Sequence, residues 1–315
     1  MSETLTREHV VWAYRILLDR DPESDDVILP KMRAYRTTRE LRHDIVTSEE
    51  YQQKNPDFAQ ADERTLVIRE LEGGVRLVID LSDHAIGLNV LRGRFELNEL
   101  DFVRRTVGPG HHVVDAGAHI GFFGMQMGAL VGPTGSVTCF EPFEENAECL
   151  QASIRENRFE NRVRLERAAV GAASGTATLV FAPKTLNTGG AFLRRPGVAA
   201  PAGHDLRAVK VVALDEFPLR RPVRFIKIDV EGAEPLALAG AARLLREDRP
   251  VILSELHPFQ LERVSAVTPR EFIGQLARAG YRCHLLGAGI PGPVIDDAPA
   301  AGVTSVVFVP VEIAA

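Results

Sequence analysis

The sequence predicts an α/β fold with a mostly parallel sheet, preceded by a small helical domain. Three observations carry that prediction. From residue 111 onward, short apolar strands alternate with helical segments, the pattern of a parallel sheet covered by helices. The first strand of this alternation, "HHVVD", runs into a glycine turn, "AGAHIG", that opens a helix; ligands in open α/β sheets bind at such strand ends. The first 55 or so residues show helical periodicity only.

The chain has 315 residues, enough for an α/β domain of roughly 200 residues and a smaller unit. The smaller unit is assigned to residues 1–58. Thr6 caps its first helix, and Val10, Val11, Tyr14, Leu17 and Leu18 form an apolar stripe. "DRDPESD" ends that helix. Val27, Ile28 and Met32 mark a second helix. "TTRELRHDIVTSEEYQ" supplies a third, capped by Thr37 or Thr38, with Leu41, Ile45 and Val46 facing inward, and a further short turn begins at Ser48. "KNPDFAQADE" reads as the linker.

Residues 59–315 form the larger domain. "RTLVIRELEGGVRLVIDLS" predicts a hairpin turning at Gly73 and Gly74, and residues 96–106 predict a helix with Leu97, Leu100, Phe102 and Val103 on its apolar side. After the glycine turn and its helix come the strand "GSVTCFEPF", the helix "EENAECLQASIREN" and the strand "RVRLERAAVG". Two strands, "GTATLVF" and "VKVVALDEF", then bracket a Gly/Pro-rich insertion near residues 182–208, a length common to lids and binding loops and equally to disordered segments. The alternation resumes with strand 223–229, helix 233–246, strand 250–256, helix 269–279 and strand 281–286. "TSVVFVP" is expected to run antiparallel at or near the sheet edge, after the loop "GAGIPGPVIDDAPAAG".

Apolar residues make up 45% and charged residues 25% of the chain, ordinary values for a globular protein. The net charge is −6, which argues against nucleic acid as a partner. Cys139, Cys149 and Cys283 match no metal-binding or disulfide pattern. The polar start "MSETLTREHV" lacks the pattern of a secretory leader, and no apolar run reaches membrane-spanning length. The expected location is therefore cytoplasmic.

Asp115, Gly117 and Gly121 sit where the first strand of the alternation becomes a helix. Their spacing is not that of a dinucleotide fingerprint, and Asp115 would repel a pyrophosphate. A ligand bearing amine and hydroxyl groups fits better, and S-adenosylmethionine is one. Glu141 ends the next strand, 20 residues past Gly121, where a carboxylate accepts both hydroxyls of a ribose. Its other reading is a cap for the helix that follows. Phe143 is expected to border the adenine or simply to pack in the core, Ala169 to lie near the adenine edge, and His119 to face cofactor or substrate from within the turn.

"FIKIDVEGAEPL", residues 225–236, raises the second question. Strand alternation puts Lys227 and Asp229 on one face, and a lysine in a central strand needs water or a carboxylate. Asp229 ends the strand, Glu231 follows, and Glu234 opens the helix, either as a substrate contact or as an ordinary first-turn acid. The next strand, "PVILSELHP", ends in Glu255 and His257. Asp229, Glu231 and Glu255 offer oxygen ligands for a divalent cation. The candidate catalytic residues are Asp229, Lys227, Glu231 and His257, with His257 or a carboxylate as the base.

These motifs, with "HVVDAGAHIGFFG", "VTCFEPFEENAECLQASIREN", "RAAVG", "VVALDEF" and "RFIKIDVEGAEPLALAGAARLL" in order, resemble the FkbM family of S-adenosylmethionine-dependent methyltransferases over roughly residues 90–260. The resemblance implies a Rossmann-like class I methyltransferase fold with a seven-stranded, mostly parallel sheet. It also implies O-methylation of a sugar, glycan or natural-product hydroxyl. It places Glu96, in "RGRFELNEL", at the cofactor's methionine end and Asn187, in "LNTGGAF", toward substrate. His119 replaces the asparagine usual there. Kinship with magnesium-requiring sugar O-methyltransferases implies Mg2+ at the Asp229 cluster. "VVWAYRILLDRDPESD" resembles a helical module found beside bacterial glycosyltransferases, which implies a glycan-related substrate and suits partner docking or a homodimer. Two rivals stand: a cofactor-binding scaffold without turnover, and a nicotinamide-dependent oxidoreductase, whose third glycine and Tyr–Lys pair are missing.

Overall fold

The computed structural model describes residues 5–35, 37–46, 48–54, 66–80, 86–91, 93, 95–182, 188–299 and 302–311. The chain divides into two compact units, Met1–Thr65 and Leu66–Ala315.

The first unit holds four helices: α1 (Arg7–Leu18), α2 (Asp25–Ala34), α3 (Thr38–Val46) and α4 (Glu49–Lys54). Thr6 caps α1 in a reciprocal box with His9, whose Nδ1 accepts the Thr6 amide at 3.1 Å. Leu5, Val10, Tyr14, Leu18, Ile28, Leu41 and Ile45 form its core. Lys31 pairs with Asp44 across α2 and α3, and Lys54 Nζ donates to the Leu18 carbonyl at 2.7 Å.

The second unit opens with the hairpin β1 (Leu66–Glu70) and β2 (Arg76–Asp80), then α5 (Gly87–Leu91) and α6 (Leu97–Thr106). Next come β3 (His112–Ala116), α7 (Phe122–Val131), β4 (Ser136–Phe140), α8 (Glu144–Glu156) and β5 (Val163–Glu166). The interruption comprises β6 (Ala169–Val170), β7 (Gly175–Phe181), β8 (Phe192–Leu193) and β9 (Asp205–Val212). The rest is β10 (Val223–Ile228), α9 (Glu234–Ala239), α10 (Ala242–Glu247), β11 (Val251–Leu256), α11 (Pro258–Gln260), α12 (Pro269–Arg278), β12 (Tyr281–Gly287), β13 (Ile290–Val294) and β14 (Thr304–Pro310).

The main sheet runs β13-β12-β14-β11-β10-β3-β4-β5, eight strands rather than seven. The pairs β11–β10–β3–β4–β5 are parallel, and β14 is antiparallel to both its neighbours. The extra strand is β13, in a segment expected to be loop. Its prolines sit on the sheet edge, where a missing amide breaks no ladder. β14 is antiparallel as expected but lies third from that edge, which fits its buried Val306, Val307 and Phe308. Alternation along the strands fills two cores. Val113 and Phe225 pack with α6, α7 and α8; Val114 and Ile226 pack with α9, α10 and α12.

The helix expected over 233–246 is two helices. Gly240 presses on the Gly171 carbonyl, where an added Cβ would sit 2.1 Å away, and Asp215 caps the restart by accepting the Arg243 and Leu244 amides at 2.7 and 2.9 Å. The four interrupting strands form their own sheet, β6-β9-β7-β8. Arg207 on β9 clamps it to α8 through a two-pronged bond to Glu145 at 2.7 and 2.9 Å.

Candidate active site

A cavity of about 310 Å³ opens at the carboxyl ends of β3, β4 and β10. The turn after β3 is built by close approach. Gly117 has φ +79°, and a Cβ there would lie 1.8 Å from the Asp229 carbonyl oxygen, so only glycine lets the two strand ends meet. The Asp229 amide in turn donates to Ala116 O at 3.0 Å, and the Gly117 and Ala118 amides donate to Phe140 O at 3.0 Å. Gly121, at φ +92°, opens α7 against Leu150, whose Cδ1 an added Cβ would approach to 2.4 Å.

Asp115 is fully buried on the cavity wall, and neither carboxylate oxygen has a hydrogen-bond partner of normal geometry among the described residues. Burial pushes its pKa up to about 6, with Lys227 opposing, Asp229 adding to the rise and the Gly124 amide offsetting it weakly. Glu141 is also buried there. Its Oε1 accepts the Phe143 amide and its Oε2 the His119 amide, both at 2.8 Å. Burial raises it to about 7 against the pull of those amides and of the Asn146 side chain. With two amides and the Asn146 side chain as donors, one of the carboxylate's four lone-pair sites stays free. His119, in a left-handed conformation, Phe143 and Ala169 share the wall, and Phe143 meets Phe181 edge-to-face at 5.0 Å.

The adjacent strand ends carry the charges of β10 and β11, with Lys227 the register partner of Asp115. Lys227 is buried, with Nζ 3.1 Å from Asp229 Oδ2 and 4.8 Å from the Phe123 ring centre. Burial works to lower its pKa, but Asp229, Glu96, Asp115 and Glu255 together outweigh that and raise it. Burial, with Asp229 adding to the rise, brings Glu96 to about 7, Glu231 to about 8 and Glu255 to about 9, Lys227 opposing in each case.

The expected residues do not all arrive where the sequence places them. The carboxylates that come within 4.8 Å of one another are Glu96, Asp229 and Glu255, not Asp229, Glu231 and Glu255. Glu231 adopts φ +52° and turns to Gln260, whose Nε2 donates to it at 3.1 Å, while the start of α6 delivers Glu96. Glu234 is not on the cavity wall: its Oε1 accepts the Val230 and Gly232 amides at 2.9 and 3.3 Å, closing its own loop. His257 is not on the wall either. It caps the short helix α11, with Nδ1 3.5 Å from the Gln260 amide, and leans on Phe259. Asn187 lies outside the described residues, although Gly189, Gly190 and Ala191 of the same loop line the cavity.

Sequence reasoning missed Asn146, which lines the cavity and hydrogen-bonds Glu141 from the first turn of α8. An asparagine at the start of a helix, in "EEN", is the signal that was available, and its burial is not written in the sequence. It also missed Phe95 and Phe122, which pack edge-to-face at 5.2 Å from separate segments and leave no local signature.

A sequence model of the methyltransferase FkbM domain matches residues 115–283, more than half of the chain. Solved structures are also similar. Methyltransferase FkbM from Methylobacillus flagellatus KT is 18% identical at a TM-score of 0.41; the match covers 95% of this chain and 58% of that one. TYW2 from M. jannaschii, in complex with AdoMet, is 15% identical at a TM-score of 0.42, over 78% and 85% of the two chains. A SAM-dependent O-methyltransferase from Thermotoga maritima is 12% identical at 0.40, over 81% of each. No curated protein of similar sequence was found.

Proposed function

We infer the reaction from one premise: the chain belongs to the FkbM methyltransferase family. It is a methyltransferase that uses S-adenosylmethionine. We propose that it methylates a hydroxyl oxygen of a sugar, glycan or glycosylated natural product. The observation that carries this reading is the Lys227–Asp229–Glu255 cluster sharing a cavity with the glycine turn. A hydroxyl acceptor needs a positioned base, and the cluster supplies carboxylates there.

The residues fit the cofactor. The cavity wall holds a buried carboxylate, Asp115, whose oxygens have no hydrogen-bond partner of normal geometry among the described residues, and a turn that only glycine fits, Gly117. Glu141 would accept a ribose hydroxyl at its remaining lone-pair site. Asp115 and Glu96 would face the amino-acid end, and Phe143 and Ala169 would flank the adenine. When bound, the cofactor supplies a methyl group on positively charged sulfur. Lys227 holds Asp229 in place, and Asp229 takes the acceptor's hydroxyl proton. Positioning of the two reactants supplies much of the remaining acceleration.

Glu96, Asp229 and Glu255 would also hold a Mg2+ ion, since three carboxylates within 4.8 Å form a hard oxygen donor set. Such an ion orients a hydroxyl and lowers its pKa. Titration of Mg2+ alone should give a saturable heat that Glu255→Gln removes; equal heats in both proteins would rule the site out. We further assign the helical unit, residues 1–58, to partner docking or homodimer contact. No helix among the described residues is long and apolar enough to cross a membrane.

The reaction is tested with methyl-labelled S-adenosylmethionine and a panel of sugars and glycosides. Label should appear as an O-methyl ether. Label on nitrogen or carbon would refute the acceptor class, and S-adenosylhomocysteine binding without transfer across the panel would favour the scaffold reading.

A further inference from the structure

The inserted sheet meets the cavity with one of its faces. Ala169 on β6, Leu179 on β7 and Leu193 on β8 all line the wall. The register explains why they share a face. Leu179 pairs with Leu193 on one side and with Arg207 of β9 on the other, and Ala169 pairs with Val211. Paired residues point the same way, and Arg207, Val209 and Val211 alternate along β9 onto that face. Phe143, from the main sheet's side, packs against it with Ala169, Leu179, Val209 and Val211.

Arg207 therefore places a charge beside an apolar contact, and its guanidinium makes three contacts there. It holds Glu145, in the first turn of α8, by the two-pronged bond described above. Its central carbon lies 4.8 Å from the Phe143 ring centre and 5.1 Å from that of Phe181. The two rings meet each other edge-to-face. Phe143 immediately precedes α8, and its amide donates to Glu141 Oε1 at 2.8 Å. Glu141 thus fixes the Phe143 backbone, while Arg207 and Phe181 fix the turn of its ring. Arg207 itself is not on the cavity wall.

A guanidinium suits this place because it is planar. It can fork a carboxylate and stack on a ring at once, which an ammonium cannot. We propose that Arg207 is a positioning residue for cofactor binding. It pins the Phe143 ring that borders the adenine, and so makes the inserted sheet part of the base-binding wall. This rests on the cofactor reading above, which sets Phe143 against the adenine.

The test is a calorimetric titration of S-adenosylhomocysteine into the full chain as wild type, Arg207→Met, Phe143→Leu and the double variant. Arg207→Met should bind about tenfold more weakly than wild type. In the Phe143→Leu background the same change should cost less than about twofold, because the ring it pins is gone. Unchanged affinity in Arg207→Met overturns the pin. A loss of about tenfold in both backgrounds overturns it too, since Arg207 would then act independently of the ring. Absence of binding in wild type overturns the cofactor reading, and the pin with it. Should Arg207→Met not fold, Arg207→Lys takes its place: it keeps the charge without the planar fork and should lose about fivefold. Wild-type affinity in that variant overturns the pin.

Discussion

Glu141, after β4, and Glu234, after β10, are alike in most local respects. Both are buried, both accept two backbone amides, and burial raises both to about 7. They differ in which amides they take. Glu141 splits its two oxygens between the turn after β3 and the start of α8, so it bridges two loops at the cavity. Glu234 spends one oxygen on two amides of its own loop and is not on the wall of this cavity. A raised pKa and a set of backbone bonds therefore mark burial, not function. On the reading proposed above, the chemistry of the β10 rim falls instead to Asp229 and Lys227, and the β4 rim binds the cofactor.

That division is broken most severely at Asp229. Asp229→Asn should cut methyl transfer about 10³-fold while S-adenosylhomocysteine affinity stays within about threefold of wild type. Undiminished transfer would remove the β10 rim from the chemistry. Next is the contact between the rims. Gly117→Ala adds a Cβ 1.8 Å from Asp229 O at φ +79°, and should cost roughly 3 kcal/mol or more. Gly74→Ala, at φ +75° with nothing within 4 Å, should cost only about 1 kcal/mol. Denaturant unfolding of both variants separates crowding from backbone strain, and equal losses would show that the rims do not interlock.

The buried carboxylates also predict a pH dependence. Asp115 and Glu141 rise from 3.8 and 4.5 to about 6 and about 7. The folded state then holds protons that the unfolded state has released. This stabilisation is full below the ordinary carboxyl pKa and is lost as pH rises through about 6 to 7. The ligand-free protein should melt several degrees lower at about pH 8 than at about pH 5, and Glu141→Gln should flatten the difference. A melting point that climbs over this range would contradict the shifts. The smallest effect belongs to His257→Ala. Loss of a weak helix cap should cost under about 1 kcal/mol and leave transfer within about threefold. A large loss of transfer would restore His257 as the base.

Much of the fold was legible because backbone constraints are written locally. Alternating apolar runs located β3, β4, β10 and β11, and the Asp115–Gly117–Gly121 turn marked the strand end that meets β10. Asp115, His119, Glu141, Phe143, Ala169, Glu96, Lys227, Asp229, Glu231 and Glu255 all converge on one cavity. What the sequence hid was orientation and distant contact. Glu234 and His257 lie within a few residues of strand ends, but loop and cap hydrogen bonds turn their side chains away. Phe95 joins the wall through packing between distant segments, and Asn146 through a side-chain bond to Glu141 that strand and helix periodicity do not reveal. β13 was obscured by Pro291 and Pro293, which are tolerable on an edge strand alone.

The comparison of the two glutamates reduces to one calorimetric titration, S-adenosylhomocysteine into wild type, Glu141→Gln and Glu234→Gln. Wild type should bind one equivalent. Glu141→Gln should bind roughly 100-fold more weakly, having lost a charged acceptor for the ribose, and Glu234→Gln should bind within about threefold of wild type. Equal losses in both variants, or a larger loss in Glu234→Gln, would contradict the assignment of cofactor binding to the β4 rim.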